Sequence, residues 1–317
     1  VALRSVAVLV VGTFVGLGVA LMSGWEPGLP DEWVWRSNSL PVQMWPPLAI
    51  GICLAALSAI LCRARTWETM RPLSRGLALA LLILVAFSLQ IALLNAVGTP
   101  WITPGAYIVS PNATTYFGVA LDVQNPADWI ARYPELIRTL PYHAATHPPG
   151  FVLLFRAIQR ACAALIPSPS QTLVDLATAY SDLFGLGLAP PDAAAAIAGA
   201  LAIALIGALG LLPIYFISRR LSSPAAAICS TCLAASMPGL LLLGASPDLV
   251  VMSLTALALC LGYCAWRGNS APLGLLAGFA VALGLFFTLG FALVAAWAAL
   301  WILAGALGSA PRPPALR

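Results

Sequence analysis

Apolar residues in this chain come in blocks of a length that limits what the chain can fold into. The blocks are 5–23, 45–62, 77–95, 193–217, 223–244, 249–266, 271–288 and 290–307. Each runs roughly 17–25 residues, enough to cross a bilayer as a helix. Between them lies too little charge to cover a soluble surface. Charged residues make up 8% of the chain, against about 25% in an ordinary globular domain. In lipid, backbone N–H and C=O groups must be satisfied within the segment, so such blocks are helices. The expected fold is an all-α polytopic membrane protein of about eight transmembrane helices. The first block follows Arg4 and lacks an A-x-A cleavage pattern, and Trp25, Glu26 and Pro27 follow it directly. It reads as a retained span and not a cleaved signal.

Arginine sets the orientation, because short cytoplasmic loops carry excess positive charge. "CRARTWETMRPLSR" (62–75), "SRRLSS" (218–223) and "WRGN" (266–269) are therefore placed on the cytoplasmic side. One segment, "GFVLLFRAIQRACAALI" (150–166), would invert this scheme if it spanned. It carries Arg156, Gln159 and Arg160 at i, i+3 and i+4, on one helical face. Two arginines on one stripe suit a helix lying in the interface. Pro148 and Pro149 mark its start and Pro167 its end. With that helix interfacial, Arg4, 63, 65, 71, 75, 219, 220, 267, 312 and 317 fall inside. Arg36, 132, 138, 156 and 160 fall outside, and every acid except Glu68 does too. Both termini are then cytoplasmic, in a bacterial-type inner membrane. The chain divides into two N-terminal spans with an Arg-rich loop (1–76), a module of spans over 77–307, and a tail (308–317).

The outer face is mostly one loop, 96–192, unusually long for a structureless connection. Trp101, Tyr107, Tyr116, Trp129, Tyr133 and Tyr142 suit an interfacial aromatic belt. "NPADWIARYPELIRTL" (125–140) reads as one or two short helices near the headgroups. Both histidines, His143 and His147, sit in "YHAATHPPGF" (142–151). Chemistry is expected here, because the spans hold almost no ionisable groups. That also counts against an ion-coupled transporter, which needs such groups at depth. "CSTC" (229–232) has the CxxC form but lies mid-block, with no second pair and no nearby histidine. It reads as small residues at a helix interface. There is no P-loop, no GxGxxG in a strand–helix context and no sign of nucleic-acid binding.

"SPNATTYF" (110–117), "THPPG" (146–150), "IYFISRRL" (214–221) and "ASPD" (245–248), in this order, resemble the GT-C superfamily of membrane glycosyltransferases. The protein O-mannosyltransferase and aminoarabinose-transferase branch is the most similar. The resemblance covers roughly 77–305. It implies transfer of a sugar from a polyprenyl-phosphate carrier to a glycan, lipid or protein acceptor on the outer face, among membrane lipids. A divalent metal ion assists the leaving phosphate in some such chemistry. Members carry an acid four residues before the tyrosine that Tyr116 matches; here that position is Asn112. An amide cannot serve as a general base at neutral pH. Asp122 and Asp128 are the neighbouring acids that would take the role.

Other positions keep two readings. His147 either meets the donor phosphate or packs at a helix start. Asp248 either belongs to the site or caps the helix it opens. Arg156 and Arg160 either grip a lipid-linked phosphate or touch ordinary anionic headgroups. Asp31 and Glu32 form a second acidic lip or a solvated loop. Against an enzyme stands a non-catalytic relative that binds polyprenyl lipids or assists assembly, and less favourably a flippase.

Overall fold

A computed structural model describes residues 43–307 apart from 97–98, 100 and 243, together with 28–29 and 33–34. The expected span 5–23, the acidic pair Asp31 and Glu32, and the tail 308–317 lie outside the described residues. The chain divides into a unit over Val1–Pro41 and one over Val42–Arg317. In the first, β1 (Gly28–Leu29) pairs antiparallel with β2 (Trp33–Val34), Gly28 opposite Val34.

The second unit is helical throughout its described residues. It begins with α1 (Trp45–Leu61), α2 (Ala64–Thr69) and α3 (Pro72–Leu94). The stretch after α3 is broken into α4 (Ile102–Val109), α5 (Tyr116–Leu121), α6 (Pro126–Ala131), α7 (Tyr133–Leu136) and α8 (Tyr142–Thr146). Two longer helices follow, α9 (Gly150–Leu165) and α10 (Gln171–Phe184). Then come α11 (Pro190–Leu209), α12 (Leu211–Leu221), α13 (Pro224–Ala235), α14 (Pro238–Leu242), α15 (Asp248–Gly268), α16 (Ala271–Phe287) and α17 (Ala292–Leu307).

Among the described residues, three helical stretches are long and apolar enough to cross a membrane: Pro72–Leu94, Pro190–Leu221 and Asp248–Gly268. Trp45–Leu61, Pro224–Ala235, Ala271–Phe287 and Leu289–Leu300 are apolar but shorter. The block 223–244 is not one helix. It stops at Ala235 and restarts at Pro238, because a proline disfavours the helical conformation of the residue before it. Pro213 sits near the start of α12 and has no N–H to give to the preceding turn, so Pro190–Leu221 falls into two pieces.

At the centre stands α11. Its buried face is nearly all small: Ala193, Ala195, Ala196, Gly199, Ala200, Ala204, Gly207 and Ala208, with Ile203. A smooth face lets neighbouring backbones approach closely. Helices α3, α4, α9, α10 and α15 all pack on α11. A Cβ on Gly199 would stand 3.0 Å from the Phe155 ring. The carboxylate of Asp192 accepts the Ala189 N–H at 2.9 Å, tying off one free donor at the α11 start.

The loop layer is folded, not draped. Helix α9 buries Phe151, Val152, Phe155 and Gln159 against α5 and α11. Helix α10, over a stretch with no expected element, stops at Gly185, whose φ of 67° suits glycine. Its Tyr180 hydroxyl donates to the carbonyls of Ile102 (2.8 Å) and Trp101 (3.2 Å), pinning α10 to the start of α4.

Candidate functional site

Segments far apart in sequence meet around Tyr116. Its ring is 4% exposed. The His147 imidazole meets it edge-on at 5.8 Å between centroids, Phe151 lies tilted at 5.2 Å, and His143 stands at 6.4 Å. The backbone around the histidines is held from two sides. Thr115 Oγ1 accepts the Ala144 N–H at 3.0 Å. Tyr133 donates its hydroxyl to the carbonyls of Ala144 (3.3 Å) and His147. His147 Nδ1 lies 3.1 Å from the His143 carbonyl. A carbonyl only accepts, so this contact puts the proton on Nδ1 and leaves Nε2 with its lone pair in the neutral ring. Pro148 and Pro149 then turn the chain into α9.

Gly150 explains why "PPG" suits that turn. A Cβ there would collide with the Phe286 carbonyl. Its absence lets α9 start against the C-terminal end of α16, where the Phe151 and Phe287 rings lie tilted with centroids 4.7 Å apart.

The Asp248 carboxylate lies within electrostatic reach of Tyr116. Its Oδ2 accepts from Ser246 Oγ at 2.9 Å, and its own N–H donates to the same oxygen at 3.3 Å. Both phenols facing it are harder to ionise. Burial pushes Tyr116 up to about 12, with the Asp248 charge and then Tyr133 adding to the effect. Burial and then Asp248 raise Tyr107, while a hydrogen bond with Ser246 opposes them. At neutral pH the site therefore presents two phenol donors, beside the Asp248 side chain and an imidazole. Such groups suit hydroxyls and phosphate oxygens.

The other sequence-derived candidates lie elsewhere. Asn112 is exposed in a turn, its N–H on Ser110 Oγ at 3.3 Å. Asp122 is exposed at the far end of α5, about 9 Å along the axis from Tyr116. Asp128 is exposed in the first turn of α6. Arg160 stands about 15 Å along α9 from Gly150, and its guanidinium donates to the Gln124 carbonyl. Arg156 approaches Gln159 Oε1 at 3.5 Å, and its Nε is enclosed without a hydrogen-bond partner. Gln159 turns inward and donates to the Phe117 carbonyl at 3.3 Å, so the polar stripe of α9 grips the loop layer as well as facing outward. The sequence offers Tyr107 only as one of the interfacial aromatics and Ser246 only within "ASPD", neither as a site residue.

Among the described residues, no three of His, Cys, Asp and Glu come together as a metal set. The groups beside Asp248 are neutral hydroxyls, Ser246 with Tyr107 and Tyr116, a poor set for a divalent ion. Beside the site, a cleft of about 580 Å³ runs between α9, α11, α12, α15 and α16. It is lined by apolar groups such as Leu154, Phe216, Val250, Leu257, Leu283 and Phe287. A larger cleft of about 710 Å³ lies near Tyr263, Trp266 and Trp297, towards the opposite end of α15 from Asp248. Comparisons with protein-family models, characterised proteins and solved structures returned no match.

Proposed function

We propose that this chain is a membrane glycosyltransferase of the GT-C kind, taking a sugar from a polyprenyl-phosphate carrier on the outer face of the inner membrane. One observation carries the reading. Of the four segments that resemble that superfamily, those of Tyr116 and His147 pack together and that of Asp248 lies within electrostatic reach of Tyr116, although about 130 residues separate the first from the last. The eight-span arrangement, with both termini cytoplasmic and the 96–192 layer outside, belongs to the same proposal.

In this reading Asp248 takes the part expected of the missing acid at Asn112. Its carboxylate accepts from the acceptor hydroxyl and orients it, with Tyr107 and Tyr116 donating to neighbouring oxygens. His147 Nε2 meets the donor phosphate when protonated. The apolar cleft bounded by Phe287 and Phe216 takes the first isoprene units, next to the Phe151–Phe287 pair.

The test has two arms. The full chain in nanodiscs is titrated with polyprenyl phosphate, and a deletion strain is complemented for its envelope glycan. H147Q should weaken binding, and D248N should abolish the glycan while binding persists. D122N and D128N should behave as wild type in both. Exposed Asn112 in the acid's place favours a second reading, a non-catalytic carrier-lipid protein. Full complementation by D248N and H147Q, with binding intact, would establish that reading and remove the enzymatic one.

A further inference from the structure

"CSTC" has a third member that its sequence context does not reveal. Cys62 closes α1, and Cys229 and Cys232 lie one turn apart on α13. Helices α1 and α13 pack together. There the Cys229 thiol donates to the Cys62 carbonyl at 3.7 Å. The Cys62 side chain lies near those of both Cys229 and Cys232. All three are free thiols; Cys62 and Cys229 are partly exposed and Cys232 is buried. The four other cysteines show no comparable arrangement across helices: Cys260 and Cys264 neighbour each other on α15 alone.

We propose that Cys62 and Cys229 form an oxidation site, a reversible disulfide that staples α1 to α13. The arrangement carries three consequences. The bond would join residues 167 apart in sequence, so it constrains a long stretch of chain. Both partners are partly exposed, as an oxidant requires. Cys232, beside Cys62, is placed to attack its sulfur in the disulfide and release Cys229, the geometry of thiol–disulfide exchange.

The oxidant is a peroxide. The Cys62 sulfur takes one peroxide oxygen to become a sulfenic acid, and the O–O bond breaks with release of water. The Cys229 sulfur then attacks that sulfenic sulfur. An S–S bond forms, the S–O bond breaks, and a second water leaves. Two thiols lose two electrons and two protons, and one peroxide is reduced to two waters. The staple involves no residue around Tyr116 and stands or falls separately from the proposed activity.

The test uses the full chain in native membranes, treated with hydrogen peroxide, blocked with a maleimide and mapped without reduction. A peptide pair joined through Cys62 and Cys229, lighter by two hydrogens and separated by a reductant, is expected. C62S and C229S should each lose it. C232S should keep it but reduce more slowly under a limiting thiol. Free Cys62 and Cys229 after a dose that oxidises exposed Cys53 would overturn the proposal. So would a Cys229–Cys232 bond formed without Cys62. Because these readings come from the wild-type chain, a variant that fails to fold does not blunt them.

Discussion

Tyr133 donates its hydroxyl to the backbone carbonyl of His147, fourteen residues further along the chain. The same hydroxyl reaches the Ala144 carbonyl at 3.3 Å. One phenol thus fixes both the helix that carries His143 and the extended residue that presents His147. The Tyr133 ring lies 5.2 Å from Trp129, which leaves it little freedom to leave that position.

Y133F keeps the ring and deletes the donor. Two carbonyls lose a partner, a cost of about 1 kcal/mol for each bond. We expect a modest fall in thermal stability in detergent. We also expect a larger change in the imidazole resonances of His147 than in those of His143. Equal or absent changes would show that Tyr133 does not position His147.

Gly150 offers a sharper lesion. An added methyl in G150A meets a backbone carbonyl, which cannot rotate away as a side chain can. Overpacking of this kind costs ~1–3 kcal/mol. The variant should unfold at lower temperature, and the Phe151–Phe287 contact should loosen. G185A also destabilises, but by strain at φ 67° and not by collision. It should leave the aromatic environment of Phe287 unchanged.

These contacts show how far the sequence could be read. Block lengths placed α1 and α15 within a residue or two, because apolar length is a local property. Proline marked the start of α9 for the same reason. The helix of Gln171–Phe184 escaped because its apolar positions, Leu176, Ala177 and Tyr180 among them, pack against the protein and not lipid. The stripe of Arg156, Gln159 and Arg160 was legible, but the inward turn of Gln159 was not, since its partner is the carbonyl of Phe117. At the site, Tyr116 and His147 were legible as motif residues. The proximity of Asp248 to Tyr116, and not of Asp122 or Asp128, depends on how α15 meets the loop layer. No local pattern encodes that.

The charge of Asp248 has a signature at alkaline pH. Tyr116 ionises near 12 in the folded chain against 10.0 for a free phenol. Its folded value is the higher one, so the folded state holds the proton more tightly. The stability this confers is complete below pH 10 and is lost as pH rises through 12. D248N removes one of the raising causes and leaves burial, the larger one. Phenol absorbance should then titrate at lower pH for Tyr116 and for Tyr107, with Y116F separating the two signals. Unchanged titration in D248N would mean that the carboxylate does not face these rings.

The side of the membrane on which all this happens can be read at Ser170. It is exposed, it precedes α10, and its hydroxyl makes no capping hydrogen bond. S170C should therefore leave the fold intact and offer a thiol at the surface of the loop layer. In the proposed arrangement, oriented by the arginine-rich turns at 62–75 and 218–223, that layer lies outside. An impermeant maleimide added to intact cells should label S170C, and permeabilisation should add little. Labelling only after permeabilisation would turn the layer inward. The carrier lipid of the proposed function would then have to be met from the cytoplasmic leaflet, and the exposed arginines 219 and 220 would lie outside, against the charge bias behind the proposed orientation.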